Sequence, residues 1–355
     1  MAICRTLWRR PRRPGPWEDE PLRTTWLSAL GGRAATISHV GLGAFGIIPG
    51  LPPIGDSMLD VLILGGGPAG LQAALTLGRA QRRALVLDAG PPRNARAVEV
   101  HNFLTRDGTP PSTLRALARE ELSRYGVEVR GERAVEVSGA KGAFVVRVEG
   151  GGEFSAKRVI LAGGMIDHLP PIPGLETLWG DTIFQCPYCH GHELRGRRWA
   201  ARITAPAMVD YALVGRGWTP DLVALTEGRF EVSDQDRARL AAAGVTLDER
   251  PIAALRPAEG EPHHLGAVIF ADGEALERDA MLLRPEQSQT PLVTALGLDL
   301  DPQGYVAVGF NRETSIPGIY AAGDLSSPMQ AAIAGAASGM MTAAMLNHEL
   351  CVHPS

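Results

Sequence analysis

The sequence predicts an α/β protein in which helices cover a parallel β-sheet, and two observations support this fold class. After Met58 the chain alternates apolar, strand-like runs with helix-like segments, the order that parallel sheets with helical crossovers require. The first strand-like run also leads directly into a glycine-rich turn and then a helix. With 355 residues, of which 45% are apolar and 21% charged, the chain is long enough for roughly two or three domains.

The first predicted elements surround the glycine-rich turn. Asp60–Leu64 is a short apolar run, which is typical of a buried strand. Pro68–Arg79 is predicted to be a helix, and Ala84–Leu87 is predicted to be a second buried strand. A further helix is expected over about Leu114–Tyr125, so the chain forms strand, helix, strand and helix in succession.

The later elements continue the alternation. β-like segments are expected near Ala143–Val148 and Val159–Leu161, and a strand is expected at Gly318–Ala322. The last helix is predicted over Gln330–Leu346, where small residues dominate.

A second unit is predicted to interrupt this pattern. Gly174 to Gly180 is a plausible crossover, and the unit that follows extends to about Pro291. Helices and strands are expected to persist inside it, in Trp218–Leu225 and Asp234–Ala243. It also carries the only Cys-x-x-Cys motif of the chain.

Residues 1–57 differ from the rest of the chain. They contain a basic, proline-rich stretch at 9–16 and a run broken by turn-forming residues at 47–53, neither of which has a helical or strand period. Acidic residues 18–20 follow the basic stretch, which argues against a signal peptide. We expect this segment to be disordered, or to be a spurious extension upstream of a natural start at Met58. An ordinary flexible extension is the alternative.

Charge, hydropathy and cysteine content restrict the function classes. The formal net charge of −4 argues against a nucleic-acid partner. No apolar run approaches the length needed to span a bilayer, so no membrane partner is expected. A single Cys-x-x-Cys motif in a chain with four cysteines fits a reducing compartment, and we therefore predict a cytoplasmic protein.

The stretch Cys186-Pro187-Tyr188-Cys189-His190 is the most informative part of the chain. Two thiols three positions apart form either a redox pair or half of a metal site. A closed zinc site needs four ligands, whereas the other two cysteines, Cys4 and Cys351, lie near the chain ends. We predict a redox-active dithiol and no metal site, with structural zinc as the alternative.

The glycine-rich turn at Gly65–Gly70 satisfies the pattern G-x-G-x-x-G between a strand and a helix. Gly65 permits the tight turn, Gly67 lets the backbone approach a pyrophosphate, and Gly70 lets helix and strand pack closely. Asp88, 18 residues beyond Gly70 at the end of the second strand, can bind ribose hydroxyls. This context predicts a dinucleotide site, and a glycine-rich turn without a ligand is the alternative.

A second pattern near the C-terminus agrees with a nucleotide cofactor. Gly318–Asp324 is a strand that ends in Gly-Asp, and the small-residue segment 330–339 follows. Asp324 can accept hydrogen bonds from a polyol, and the N-terminus of the small-residue helix can stabilise the negative charge of a reduced flavin. Close packing is the alternative for the helix alone, but the two patterns together favour a flavin.

Three motifs together, Gly65–Gly70, Cys186–Cys189 and Gly318–Asp324, resemble the low-molecular-weight thioredoxin reductase family in order and spacing. The resemblance covers nearly everything from Met58 to the C-terminus. It implies two Rossmann-like, three-layer domains and a homodimer. FAD would be bound by residues 58–175 together with 292–350, and residues 176–291 would form an inserted NAD(P)H-type domain carrying the redox pair.

The same resemblance implies roles for individual residues. Cys189 would face the flavin C4a atom, and Cys186 would meet the substrate. Asn102 and the turn at Gly163 match positions beside FAD, although Gly163 replaces the usual threonine. The implied cofactor-binding set is Gly65, Gly67, Pro68, Ala69, Gly70, Asp88, Asn102, Gly163, Gly323, Asp324, Gln330, Ala331 and Ala332.

A second glycine motif, which family members that use NADPH carry in the inserted domain, is altered here. Ile203 and Ala205 stand where the first two glycines are expected. A β-branched residue resists positive φ and crowds a phosphate. An arginine cluster for a 2′-phosphate is also not evident, since Glu227 precedes the lone Arg229. The sequence therefore predicts no tight NAD(P)H binding, and weak binding by the altered motif is the alternative.

The residue after the second cysteine also departs from typical thioredoxin reductases, which have an aspartate there. His190, with Glu193 following, resembles the branch that includes the dithiol oxidases of holomycin and gliotoxin biosynthesis. An imidazole can take up and return a thiol proton near neutral pH, so we predict that His190 is catalytic. His192 is more simply interpreted as a surface histidine.

Three functions remain open from the sequence. The chain is a thioredoxin-reductase-like enzyme, an oxygen-using oxidase of small dithiols, or a flavin-binding redox sensor without turnover. In the two enzymatic cases electrons pass between FAD and a dithiol or disulfide through Cys186 and Cys189. The partner is a thioredoxin-like protein or a small dithiol, and the sequence does not separate them.

Overall fold

A computed structural model describes residues 58–353 of the chain. The segment 1–57, for which a disordered or spurious extension was predicted, lies outside the described residues.

Strands and helices alternate in the described region, apart from two uninterrupted runs of strands over residues 128–168 and 245–288. The strands are β1 (Leu59–Leu64), β2 (Ala84–Leu87), β3 (Glu128–Arg130), β4 (Ala134–Ala140), β5 (Ala143–Val148), β6 (Glu153–Leu161), β7 (Ile166–His168), β8 (Ile183–Phe184), β9 (Trp199–Arg202), β10 (Leu222–Leu225), β11 (Val245–Asp248), β12 (Ile252–Ala258), β13 (Glu261–Phe270), β14 (Ala275–Glu277), β15 (Ala280–Leu283), β16 (Glu286–Ser288) and β17 (Ile319–Ala321). The helices are α1 (Pro68–Arg79), α2 (Pro111–Ser123), α3 (Leu175–Leu178), α4 (Pro187–His190), α5 (Val209–Gly215), α6 (Asp234–Ala242), α7 (Pro291–Leu296) and α8 (Ala332–Val352). Short 3₁₀ turns at Pro206–Met208 and Asp324–Ser326 precede α5 and α8.

The first sheet has seven strands in the order β3-β2-β1-β6-β5-β4, with β17 also paired to β6. The first half of β6 pairs antiparallel with β5, and its second half pairs parallel with β17. Strand β1 lies between β2 and β6, with parallel pairing on both sides. The order of strands reverses at β1, and open α/β sheets bind ligands beyond the carboxyl ends of the strands at such a point.

Both faces of the central strands of the first sheet are buried. In β1, Leu62 and Leu64 belong to one core, to which α7 also contributes. Val61 and Ile63 belong to the opposite core, which is formed with α1 and α8. Burial on both faces explains why β1 is a continuous apolar run rather than an alternating one.

The second sheet is wholly parallel, with the order β11-β10-β9-β15-β8. A three-stranded antiparallel sheet, β12-β13-β14, contributes to the core on one of its faces, while α5 and α6 contribute to the core on the other. The chain enters this part through β7 and leaves it through β16. These two strands pair antiparallel as a separate two-stranded ladder, so the connections between the two sheets lie side by side.

The α/β fold class predicted from the sequence is confirmed, and several elements have the expected bounds. The helix at Pro68–Arg79 and the strands at Ala84–Leu87 and Ala143–Val148 lie where they were predicted. The helix predicted over 114–125 instead spans 111–123, and the last helix continues to Val352. The antiparallel strands β12–β14 and the β7–β16 ladder were not predicted. The proposed domain boundaries remain a prediction.

A buried ion pair joins the first sheet to α8. Arg158 of β6 is fully buried and donates two hydrogen bonds, of 3.1 and 2.8 Å, to the carboxylate of Glu349. Lys141 and the hydroxyl of Tyr320 contact the same carboxylate. Partial burial alone would raise the pKa of Glu349, but the hydrogen bonds from Lys141 and Arg158 outweigh it and lower that pKa below its ordinary value.

Replacing Arg158 with methionine is expected to destabilise the protein by about 3 kcal/mol, because it removes the fully buried charge that donates two hydrogen bonds to Glu349 and leaves this carboxylate with only Lys141 and Tyr320. Urea unfolding followed by tryptophan fluorescence measures the change. Arg147→Met is the matched control, since this half-exposed arginine pairs with two surface glutamates and its loss is expected to cost less than about 1 kcal/mol. Equal stability of the two variants would contradict the prediction.

Candidate active site

The turn at Gly65–Gly70 has the geometry of a dinucleotide cradle. Gly65 has a φ of 120°, and a Cβ atom there would collide with the carbonyl of Ala162. A Cβ atom on Gly70 would collide with the carbonyl of Gly65, so these two glycines are required for close packing. A Cβ atom on Gly67, by contrast, would meet nothing within 4 Å. The turn is therefore closed on the protein side and open at Gly67, just before the N-terminus of α1.

Three turns converge at this edge of the first sheet. The N–H of Ala162 donates to the carbonyl of Leu64 over 2.8 Å, and the N–H of Ala322 donates to the carbonyl of Leu161 over 2.9 Å. The turns that follow β1, β6 and β17 are therefore adjacent. A Cβ atom on Gly323 would lie 2.9 Å from that of Ala69, which brings the C-terminal Gly-Asp motif against the start of α1.

Helix α8 lies against the same turn. A Cβ atom on Gly339 would collide with the carbonyl of Ala69, so the small residues of α8 allow the two helices to come into contact. Ala331 precedes α8 in an extended conformation, and Ala332 is its first residue. The structure thus brings together the predicted residues of the glycine-rich turn, the Gly-Asp motif and the beginning of α8.

Asp88, predicted to bind ribose hydroxyls, is buried at the carboxyl end of β2. Its carboxylate accepts a hydrogen bond of 3.3 Å from the N–H of Gly66, next to the open position at Gly67. It also forms ion pairs with Arg115 and Arg119 of α2. The Nε atom of Arg115 is buried without a partner among the described residues. The two arginines balance the charge of Asp88 and were not found by sequence reasoning.

Asp324 and Gln330 contact an arginine that sequence reasoning also missed. Nη1 of Arg93 donates to the Asp324 carboxylate over 3.0 Å and to the Gln330 side chain over 2.7 Å. Burial raises the pKa of Asp324, although the positive charge of Arg93 opposes the shift. We refer to Arg93 and the side chains linked through it as the Arg93 cluster, which consists of Arg93, Asp167, Gln185, Gln287, Asp324 and Gln330.

The other two predicted cofactor contacts lie in loops. Asn102 has a φ of 57°, a conformation that asparagine adopts more readily than most residues, and its N–H donates to Asp107 over 2.7 Å. Gly163 is exposed in the turn after β6, and a Cβ atom there would meet only a methyl carbon of Thr290 at 3.8 Å. Neither position is obstructed by packing.

Cys186 and Cys189 form a disulfide, with their Cα atoms 5.3 Å apart. Cys186 precedes the single-turn helix α4, and the N–H of Cys189 donates to the carbonyl of Cys186 over 3.1 Å. Both cysteines are half-buried. Tyr188, between them, is 65% exposed and packs edge-on against Trp218 at 5.1 Å between ring centroids. The pair is therefore an accessible disulfide on a short, well-packed turn.

His190 ends α4 and stacks on Phe184, with 5.1 Å between ring centroids. Both of its ring nitrogens are buried and have no hydrogen-bond partner among the described residues. Burial lowers the pKa of His190 below its ordinary value of 6.5; the Gly180 backbone opposes this shift, and the nearby His101 adds to it. The ring is therefore neutral at pH 7, with a nitrogen free to accept a proton.

The carboxyl edge of the second sheet differs from that of the first. Ile203 is fully buried, and the N–H of Thr204 faces the sulfur of Met208 at 3.5 Å. Arg202, at the end of β9, forms a buried ion pair with Glu227, which follows β10. Ala205 precedes a turn that begins with a proline, which has no N–H. At this edge the positions of the two expected glycines are thus taken by larger residues, and Arg202 and Glu227 pair with each other.

Within residues 58–353 no group of three or more His, Cys, Asp or Glu side chains is arranged to hold a metal ion. In the same region, none of the helices combines the length and the apolar character needed to cross a membrane.

The residues at the first sheet fit a dinucleotide that contains a flavin. The open position at Gly67 and the N-terminus of the twelve-residue helix α1 can hold a diphosphate. Asp88 lies beside that position and can accept hydrogen bonds from ribose. Gly323, which precedes Asp324, and α8 contact Ala69 in the first turn of α1, so Asp324 and the start of α8 would hold the ribityl chain and the ring of FAD.

Comparison with known proteins gives the same result. The model of the pyridine nucleotide-disulphide oxidoreductase family matches residues 59–219 and 225–338. Thioredoxin reductase tcpT of Claviceps purpurea is 30% identical over 312 residues, which cover 83% of this chain and 96% of that protein. Among solved structures, an oxidoreductase from Agrobacterium tumefaciens has 32% identity and a TM-score of 0.78, covering 84% of this chain and 100% of its own.

The structure of HlmI is similar to the same extent, with 35% identity, a TM-score of 0.78, and coverage of 84% of this chain and 94% of HlmI. Both solved structures therefore agree with the family match. Together with the disulfide at Cys186–Cys189, these similarities show that the chain belongs to the pyridine nucleotide-disulphide oxidoreductase family of FAD-dependent enzymes, as a thioredoxin reductase-like member.

Proposed function

We propose that this enzyme oxidises a small dithiol to a disulfide, with FAD and then dioxygen as electron acceptors and without NAD(P)H. The observation that carries the proposal is the contrast between the two sheet edges. The first edge is open at Gly67, whereas at the second edge Ile203 and Ala205 replace the expected glycines and Arg202 pairs with Glu227. If the protein binds FAD but no NAD(P)H, the electrons that reduce the flavin have to come from a dithiol substrate.

The chemistry at the disulfide balances in two steps. A substrate thiolate attacks Cys186, and the second substrate thiol resolves the mixed disulfide. Two thiols thereby lose two protons and two electrons, and Cys186–Cys189 becomes a dithiol. His190, neutral at pH 7, accepts a thiol proton during this exchange. The dithiol re-forms its disulfide by giving up two electrons; FAD, when bound, would supply the acceptor for them, with dioxygen as the final oxidant and hydrogen peroxide as its product.

The site assignments are part of the same proposal. The predicted cofactor-binding residues from Gly65 to Ala332 would hold FAD between 58–175 and 292–350, and residues 176–291 would form the inserted domain. Cys189 would face the flavin and Cys186 the substrate. A small dithiol is preferred to a thioredoxin-like protein as partner, and we expect neither nucleic acid nor membrane to be involved. The protein would work in the cytoplasm.

A homodimer is also proposed. A groove of about 540 Å³ lies between α1, α2 and α8, lined in part by Leu75, Tyr125 and Met340. Met340 and the adjacent Met341 are 44% and 52% exposed on α8. Exposed methionines beside a groove favour contact with another protein surface, and a second copy of this chain is the partner that the family resemblance implies.

An anaerobic titration tests the proposed direction of electron flow. NADPH is expected to leave the visible absorption of the bound flavin unchanged, whereas dithiothreitol is expected to bleach it. Admission of air should restore the colour and form hydrogen peroxide. Rapid bleaching by NADPH would instead favour a thioredoxin-reductase-like enzyme. No bleaching by either donor, together with a stable complex with a partner protein, would favour a redox sensor.

A further inference from the structure

The guanidinium of Arg93 uses all five of its N–H donors. Nε and Nη2 bind the Asp167 carboxylate in a bidentate pair, at 2.5 and 2.8 Å. Nη1 donates to Asp324 at 3.0 Å and to Gln330 at 2.7 Å, while Nη2 also donates to Gln185 at 2.8 Å. A guanidinium offers five donors in a fixed plane, so this side chain is completely satisfied by four residues.

Those four residues come from different parts of the fold. Asp167 lies on β7, at the connection into the second sheet, whereas Asp324 and Gln330 lie between β17 and α8 at the predicted flavin site. Gln287 on β16, the returning connection, donates to Asp167 at 2.8 Å and to Gln330 at 2.9 Å. The Arg93 cluster therefore joins both connecting strands to the beginning of α8.

Gln185 extends this network to the redox pair, because it immediately precedes Cys186. Its side-chain oxygen accepts from Arg93, and its side-chain nitrogen donates to Gln330 at 3.2 Å. From the opposite side, the hydroxyl of Tyr211 donates to the Gln185 carbonyl at 2.7 Å. Both the side chain and the backbone of Gln185 are thus held, and Cys186 has little freedom to move relative to α8.

We propose that Arg93 is a positioning residue, which acts through Gln185 to hold the Cys186–Cys189 pair at the flavin site. The inference rests on the proposed function, because it concerns the step in which the dithiol passes two electrons to FAD and its two sulfurs rejoin. That step depends on a fixed separation of the reacting groups, and a misplacement of about 1 Å can slow such a step on the order of a hundredfold. Exchange between the disulfide and a substrate thiol does not need the flavin.

Two variants of the full-length chain, loaded with FAD, test the inference by stopped-flow spectroscopy with dithiothreitol. Arg93→Gln removes the centre of the cluster. Gln185→Leu removes only the side-chain hydrogen bonds of the residue before Cys186, and it leaves the carboxylates of Asp167 and Asp324 paired with Arg93. At saturating dithiothreitol, each is expected to slow flavin bleaching by about 10- to 100-fold. The double variant should bleach no more slowly than the slower of the two single variants, because both substitutions break the same Arg93–Gln185 connection and their effects are not additive.

The matched control is Arg106→Gln, which removes an exposed arginine from the same loop region; its side chain donates a hydrogen bond to the neighbouring carbonyl of Thr105. It is expected to bleach at the wild-type rate. FAD content is measured for every variant, so that a loss of cofactor is not mistaken for a slower transfer. If the test variants bleach at the wild-type rate once the rate is divided by the amount of bound FAD, the positioning role is overturned.

FAD-depleted protein supplies a readout that does not depend on turnover. Hydrogen–deuterium exchange of the peptide covering residues 183–190 should increase in both test variants and stay unchanged in Arg106→Gln. The rate at which dithiothreitol opens the Cys186–Cys189 disulfide is measured by alkylation of the thiols that form. In both test variants this rate should differ from the wild-type rate by less than about twofold. Unchanged exchange and unchanged bleaching in Gln185→Leu would overturn the inference even if Arg93→Gln fails to fold. If dithiothreitol does not bleach the wild-type flavin, the proposed function is wrong, and the exchange result alone supports or overturns the role of Arg93.

Discussion

Cys189→Ser is expected to abolish the reduction of bound flavin by dithiols while the protein stays yellow. The substitution removes one sulfur of the disulfide, so Cys186 can still attack an added disulfide but can no longer form an internal dithiol that gives up two electrons. FAD binding should persist, because the glycine-rich turn and the Gly-Asp motif lie on other segments. Anaerobic spectra before and after dithiothreitol measure both effects.

Cys186→Ser is the matched variant for assigning the two sulfurs. A chromogenic aromatic disulfide should label Cys186 rapidly in Cys189→Ser, since this is the sulfur predicted to meet substrate and flavin would not cover it. It should label Cys189 much more slowly in Cys186→Ser, once flavin covers that sulfur. Undiminished turnover of dithiols by Cys189→Ser would refute the role of this residue, and the opposite labelling order would exchange the two assignments.

The part of the site that sequence reasoning found is the part set by local constraints. A glycine is needed at Gly65 because the backbone there has a positive φ, and at Gly70 because a carbonyl occupies the space of its side chain. Such requirements depend on neighbours a few residues away and remain visible in the sequence. The same holds for the bounds of α1, which begins with a proline at its first position.

The part that sequence reasoning missed depends on residues distant along the chain. Arg93 meets Asp167 and Asp324, which are 74 and 231 residues away, and Gln185 has no pattern that marks it as a contact. In a chain with many arginines, a lone Arg93 in a loop has no spacing signal. Arg115 carried a weak one, because it lies on a predicted helix soon after Asp88, and acid–base pairs across α/β turns are common ways to satisfy a buried carboxylate.

At the second sheet the sequence showed that the glycine motif expected for NAD(P)H binding is altered, but not which contacts take its place. Ile203 and Ala205 were recognised as replacements for glycines, and Glu227 was noted as an acid where arginines were expected. Only the fold shows that Glu227 pairs with Arg202 across the ends of β9 and β10. The loss of a glycine motif can be seen within a few residues of sequence. The pairing of Glu227 with Arg202, by contrast, depends on β9 and β10 being neighbours in the sheet.

His190→Gln is expected to slow dithiol-driven flavin reduction on the order of a hundredfold at pH 7, since a positioned general base contributes about 10²- to 10⁴-fold. The charged or titratable groups near the ring are His101, Glu193 and Asp181. Burial keeps the pKa of His190 below 6.5, so the neutral, proton-accepting form predominates at pH 7 and is lost only as the pH falls through the lowered value. In the wild-type enzyme the rate should therefore decline only below about pH 6.5.

The difference in bleaching rate between His190→Gln and the wild type should become smaller at alkaline pH. A substrate thiol with a pKa of about 8.5 ionises there without help from a base. Stopped-flow bleaching by dithiothreitol between pH 6 and pH 9 gives both profiles, and His192→Gln, a change at an exposed histidine two residues on, is the control expected to follow the wild type. A pH-independent defect in His190→Gln would mean that the ring acts through its stacking on Phe184 rather than through its nitrogens. The unpartnered state of both nitrogens favours the proton-transfer role, since a ring needed only for packing would be as well served by an apolar side chain.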